Sequence, residues 1–130
     1  MQKEVGTTNW EIVSDRPIYA QLLEQVELAI VTGQFLPGEK LPGVRDMAAE
    51  AGVNPNTMQR ALAELEQYGL IYSQRTSGRF VTENAAMIET VKNELAKAVV
   101  ESFYKQMAAL GYSKEESKEI IQHTEEENGR

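Results

Sequence analysis

The stretch Leu41-Pro-Gly-Val-Arg-Asp-Met-Ala-Ala-Glu-Ala-Gly-Val-Asn-Pro-Asn-Thr-Met-Gln-Arg-Ala-Leu62 constrains the fold more than any other part of the chain. It reads as two short helices joined at Gly52, where glycine admits the positive φ that a tight helix-turn-helix bend needs. The first helix begins after Pro42 and buries Val44, Met47 and Ala48. Ala48, four residues before the glycine, is small enough to let the two helices approach. The second helix opens with Asn54 as cap and Pro55 in its first turn, and turns Val53, Met58, Ala61, Leu62 and Leu65 inward. Its tip carries polar groups at a helix end narrow enough for the major groove of DNA.

Charge cuts against that reading at first sight. The chain has 20 Asp/Glu and 13 Lys/Arg, a net charge of −7, whereas nucleic-acid binders are usually basic. The acids are not spread evenly. Residues 73–82 hold Arg75 and Arg79 and no acid, and residues 40–60 hold Lys40, Arg45 and Arg60 against Asp46 and Glu50. Phosphate attraction is screened over roughly 8 Å at physiological salt, so local charge decides. The expected result is modest, steeply salt-dependent affinity.

The rest of the chain surrounds this pair with further elements. Trp10-Glu-Ile-Val13 is a short extended apolar patch. From Pro17, the residues Ile18, Leu22, Val26 and Ile30 recur at fourfold spacing, with Leu23 and Ala29 widening the stripe. They predict an amphipathic helix ending at Gly33. Gln34 to Lys40 reads as a turn with its corner at Pro37-Gly38. After Gly69, Leu70–Gln74 and Phe80–Thr82 flank the polar tip Arg75-Thr-Ser-Gly-Arg79, a β-hairpin placed as the wing of a winged helix. Asn84 caps a long helix with Ile88, Val91, Leu95, Val99 and Phe103 at three- and four-residue steps, stopped by Gly111. Ser113-Lys-Glu-Glu116 is a capping box opening a last helix with Ile120 and Ile121. The acidic end from Glu125 is expected to fray. The fold class is therefore mainly α with a small β-wing (α+β). Residues 1–82 form a winged helix-turn-helix domain, and residues 83–130 a short helical tail that cannot bury its apolar stripe alone.

Several classes of function fall away. The chain has no cysteine and one histidine, which removes disulfides, thiolate catalysis and cysteine-ligated zinc. No catalytic constellation is visible, so an enzyme is not expected. His123, with Glu119 and Glu127 four residues to either side, reads as a solvated side chain on an acidic helix and not as a metal ligand. No cofactor and no metal are expected. No apolar run approaches the roughly 18 residues of a membrane helix, and Met1-Gln-Lys-Glu-Val-Gly6 is too polar for a secretory signal. A cytoplasmic protein is the expectation.

Pro17-Ile-Tyr-Ala-Gln21, Gly33 to Leu41 with Pro37-Gly38, Leu41-Pro42, Val44-Arg45 and Val53-Asn-Pro-Asn-Thr57 together resemble the GntR-type winged-helix repressors. Arg60-Ala61, Leu65-Glu66, Gly69-Leu-Ile71 and Gly78-Arg-Phe-Val81 continue the match over roughly residues 10–82, and the ordered set is far more specific than any one piece. The short two-helix tail is similar to the YtrA-like subfamily. An aminotransferase-like domain using pyridoxal phosphate, found in a related group, is not expected in the stretch that follows Thr82. The resemblance implies a homodimer held by the C-terminal helices, acting as a repressor on a palindromic double-stranded DNA operator, such as that of an ABC-transporter operon. The chain departs from the pattern at Gly43 (usually serine), Asp46 (usually glutamate), Thr76 (usually glycine) and Arg79 (usually small).

The candidate DNA-binding residues follow from these two readings. Arg45 is placed for guanine or phosphate, or for a surface pair with Glu50 or Asp46. Asn54, Asn56 and Thr57 crowd a helix N-terminus that favours phosphate, with Asn54 also capping. Pro55 offers apolar surface to a thymine methyl, Gln59 faces a base edge or solvent, and Arg60 faces phosphate. Arg75 and Arg79 are wing cations, and Gly78 admits close backbone approach or simply makes the turn. Tyr19, Tyr68 and Tyr72 read as core or rim packing. Ile88, Val91, Leu95, Val99 and Phe103 form either the dimer seam or a stripe packed on the first helix. An unidentified small-molecule effector would have to bind at the dimer interface or between the winged domain and the tail. The alternative function is a winged-helix protein–protein module without DNA binding.

Overall fold

The computed structural model describes residues 10–129. The six N-terminal residues behind the secretory-signal expectation lie outside the described residues. The elements run α1 (Ile18–Val31), α2 (Val44–Ala51), α3 (Pro55–Tyr68), β1 (Ile71–Gln74), β2 (Gly78–Val81), α4 (Ala85–Ala109) and α5 (Lys114–Glu127). Two compact units divide between Lys92 and Asn93.

In the first unit, α3 packs on α1, α2 and β1. Leu22, Val26 and Ile30 of α1 meet Met47 and Ala48 of α2 and Met58, Ala61, Leu62 and Leu65 of α3, closed by Leu70, Ile71 and Val81. Each fully buried large side chain contributes about 1.5–3 kcal/mol relative to exposure. Ile18 heads the predicted stripe yet is 43% exposed. Helical side chains lean toward their own N-terminus, so the first one points past the core.

Gly52 takes φ 72°, and the N–H of Val53 then reaches the carbonyl of Ala48 at 3.0 Å. Ala48 is buried between the helices it joins. Gly43 is the residue before α2 and supplies no side-chain cap, as the missing serine implied. By contrast, Asn54 Oδ1 accepts from the N–H of Asn56 at 2.7 Å and fixes the start of α3.

Two segments do more than their sequences suggested. Gln34–Lys40 is not a plain turn. Phe35 is wholly buried, and the following residues run along β2. The N–H of Gly38 bonds the carbonyl of Val81, the N–H of Val81 bonds that of Glu39, and the N–H of Leu41 bonds that of Arg79, each at 2.9 Å. Lys40 thus bridges Phe80, and the wing gains a third edge. The hairpin itself pairs Ile71 with Val81 and Gln74 with Gly78, so its tip is only Arg75-Thr-Ser77.

The segment before α1 is held by glutamine side chains. Gln25 accepts from the N–H of Glu11 at 3.0 Å and donates to its carbonyl at 2.5 Å. One turn earlier, Gln21 accepts from the N–H of Val13 at 2.8 Å and donates to the carbonyls of Val13 (2.7 Å) and Arg16 (3.0 Å). Gln21 is buried and fully paired, as a buried amide must be.

Asn84 caps α4 through Oδ1 to the N–H of Met87 at 3.1 Å. The first unit runs past Thr82 to Lys92 because Met87, Ile88 and Val91 pack against its core. In the second unit Ser113 and Glu116 form the capping box of α5. That helix continues past Glu125. It runs to Glu127 and closes at Asn128, with Gly129 at φ 76°. A left-handed glycine there gives the last turn a defined stop. Among the described residues no helix is long and apolar enough to cross a membrane.

Candidate nucleic-acid interface

The burial of Met58, Ala61, Leu62 and Leu65 on one side of α3 leaves the opposite side outward. There, Asn56, Gln59 and Arg60 are exposed at three- and four-residue steps, with Thr57 half-buried beside them. Pro55 is exposed in the first turn. The Oδ1 of Asn54 is occupied by its capping bond. Its NH2 group is the part free to act as donor, so capping and an outward contact are compatible in one side chain.

The cations divide by what holds them. Arg45, on the exposed side of α2, has no ion-pair partner among the described residues. Glu50 instead accepts from Trp10 Nε1 at 3.3 Å. Arg60 lies over the ring of Tyr19, with Cζ 3.6 Å from the ring centroid. This stacking restricts the guanidinium while leaving its edge available for hydrogen bonds. Tyr19 is therefore rim packing with a second role that the sequence reading did not assign. Arg79 departs from its expected role as an outward wing cation. Its Nε lies 3.3 Å from Glu66 Oε1, and its side chain is 19% exposed. The cause is register: Arg79 pairs with Ser73 on the strand face turned to α3, where Glu66 waits.

Between α2, α3 and the wing lies an open groove of about 680 Å³. It brings together Gln59, Arg75, Gly78 and Arg79 of the expected set, and adds Lys40, Gly43, Ser73 and Gln74. No acidic residue lines it, in a chain carrying 20. Arg45, Asn54–Thr57 and Arg60 are not in its wall. Tyr72, stacked on Phe80 with centroids 5.7 Å apart, stiffens the hairpin. Tyr68 stands elsewhere, its hydroxyl donating to Glu64 at 3.0 Å, a bond that raises the phenol above its ordinary pKa.

The five seam residues separate. Ile88 and Val91 are half-buried against the core of their own chain, as the packing alternative has it. Their helix starts beside Gly69, where a Cβ would stand 3.2 Å from Met87 Cε. Leu95, Val99 and Phe103 lie in the second unit, with Val99 69% exposed. His123 pairs with Glu126 at 3.7 Å, and no metal-ligand cluster occurs among the described residues.

These features have counterparts in known proteins. Residues 18–81 match the family "Bacterial regulatory proteins, gntR family". The chain is 44% identical to the uncharacterized HTH-type transcriptional regulator YhcF of Bacillus subtilis (strain 168), over 83% of this chain and 89% of that protein. It is 35% identical to the HTH-type transcriptional repressor YtrA of the same organism, over 70% of this chain and 75% of that one. Among solved structures, a GntR family transcriptional regulator from Listeria monocytogenes superposes with TM-score 0.78 at 38% identity, covering 86% of this chain and 98% of that chain. AraR(DBD) in complex with operator ORX1 superposes with TM-score 0.51 at 29% identity, covering 58% of this chain and all of that one. From the matched helix-turn-helix to the hairpin, and in relatives aligned over most of their length, the chain belongs to the gntR family of bacterial regulatory proteins.

Proposed function

We propose that the chain is a sequence-specific DNA-binding transcriptional repressor that acts as a homodimer on a palindromic operator. The observation that carries it is the outward face of α3, with Asn56, Gln59 and Arg60 flanked by Arg45 of α2 and the acid-free groove beside the wing. In this reading α3 enters the major groove. Arg45 reads guanine or clamps phosphate, Asn56, Thr57 and Gln59 meet base edges and backbone, and Pro55 rests on a thymine methyl. Arg60, held by Tyr19, takes a phosphate, and Arg75 with Gly78 brings the wing to the duplex. Arg79 contributes only by leaving Glu66.

Residues to Thr82 supply this reading surface and residues from 83 onward the dimerisation element, with Leu95, Val99 and Phe103 as its seam. An effector bound at that interface would alter the spacing of the two recognition helices, to which operator fit is sensitive. Similarity to YtrA supports the repressor reading.

Fluorescence anisotropy with a duplex from the promoter of its own gene tests the proposal. Binding should weaken steeply with salt, and Arg45→Ala with Arg60→Ala should lower affinity by about 1–3 kcal/mol for a lost base contact and flatten the salt dependence by about 1 for each lost phosphate contact. Affinity unchanged in the double variant would remove the residue assignment. A chain with no salt-dependent affinity for duplex would instead be an interaction module.

A further inference from the structure

Gly78 has φ 104°, and a Cβ built on it would stand 3.2 Å from Cε of Lys40 and 4.0 Å from its Nζ. The Lys40 arm therefore crosses the wing over a residue of β2 that has no side chain. Its backbone is held there by the bridge to Phe80 and by the 2.9 Å bonds of Glu39 and Leu41 on either side. Lys40 lines the groove together with Gln59 and Arg75, and no acid lies in its wall. Lys40 has no ion-pair partner among the described residues, whereas Arg79 on the same wall is held by Glu66. Lys40 and Arg75 are thus the two uncommitted cations of this groove.

We propose that Lys40 is a phosphate-contact residue of the DNA interface and that Gly78 is the gap through which it reaches. The inference rests on the DNA-binding reading and extends it to a residue outside the recognition helix and hairpin. The ammonium is a compact, rotatable charge on a flexible stem, suited to a phosphate and carrying no base preference. Gly78 then serves more than the turn: any side chain there would meet the arm as well as strain the backbone.

The test uses the full chain and a labelled duplex from the promoter of its own gene, titrated between about 50 and 200 mM salt. Each phosphate contact adds about 0.9 to the slope of log affinity against log salt, so Lys40→Ala should flatten the slope by about 1.8 in a symmetric dimer. Lys40→Arg should keep the wild-type slope, and both Lys40 variants should melt with the wild type because that side chain is exposed. A wild-type slope in Lys40→Ala would overturn the inference and leave the DNA reading standing. Absence of salt-dependent binding by the wild type would overturn both.

Discussion

Gln21 lies on the buried side of α1, where the apolar stripe alone would call for leucine. Its three hydrogen bonds to Val13 and Arg16 explain the exception. Gln21→Leu should lower stability by about 1–3 kcal/mol in urea unfolding, because it leaves backbone groups unpaired at the edge of the core. Gln25→Leu, at a half-buried position, should cost less, and equal losses would count against burial as the reason. At this scale the sequence was legible where one residue suffices to make a feature. Asn54 caps, Gly52 bends and Ser113 with Glu116 forms a box, each as its local pattern implied. The Arg79–Glu66 pair, the Arg60–Tyr19 stack and the passage of Lys40 over Gly78 were not legible, because the partners stand 13, 41 and 38 positions apart. Spacing along one helix does not encode such pairs.

The seam between α1 and α3 carries a charge problem of its own. Glu27 is half-buried, and burial, then Glu24 and Glu64, raises its carboxyl pKa. The folded state therefore binds this proton more tightly than the unfolded chain does, and stability falls as pH rises from the ordinary glutamate range through the raised folded value. Glu27→Gln should abolish that fall and melt above the wild type at neutral pH. A series of melting curves across acidic to neutral pH checks it, and parallel curves for the two proteins would refute it. Helices and hairpin were legible from periodicity and glycine stops. The edge formed by Gly38–Leu41 was not, since it lacks alternation and its pairing is set by β2. Nor was the true end of α5, where Gly129 supplies the stop that the acidic run obscured.

For the whole molecule, the net charge of −7 is misleading because the acids avoid one surface. The other unsatisfied surface lies in the second unit, where Val99 is 69% and Val100 50% exposed. A dimer seam there predicts that Val99→Glu shifts the sedimenting species from dimer to monomer and weakens binding to a palindromic duplex more than tenfold, about 1.4 kcal/mol or more. A dimer of unchanged mass would displace the seam from Val99. The family and winged architecture were legible because an ordered set of short motifs spans the first unit. The division of the α4 stripe was not, since Ile88 and Val99 look alike in a periodicity and differ only in what lies beside them.

The glutamine strap before α1 has a consequence in metric terms. Two residues of extended chain advance about 6.6 Å, and four residues of helix about 6.0 Å. A strand and a helix can therefore share rungs for a short distance, with a mismatch of about 0.6 Å per repeat. Glu11 with Gln25 and Val13 with Gln21 use two such rungs, and the next helical position, Ala29, has no amide to offer. The strap behaves as a vernier: two marks coincide, and sliding the chain by one residue would bring none of them into line.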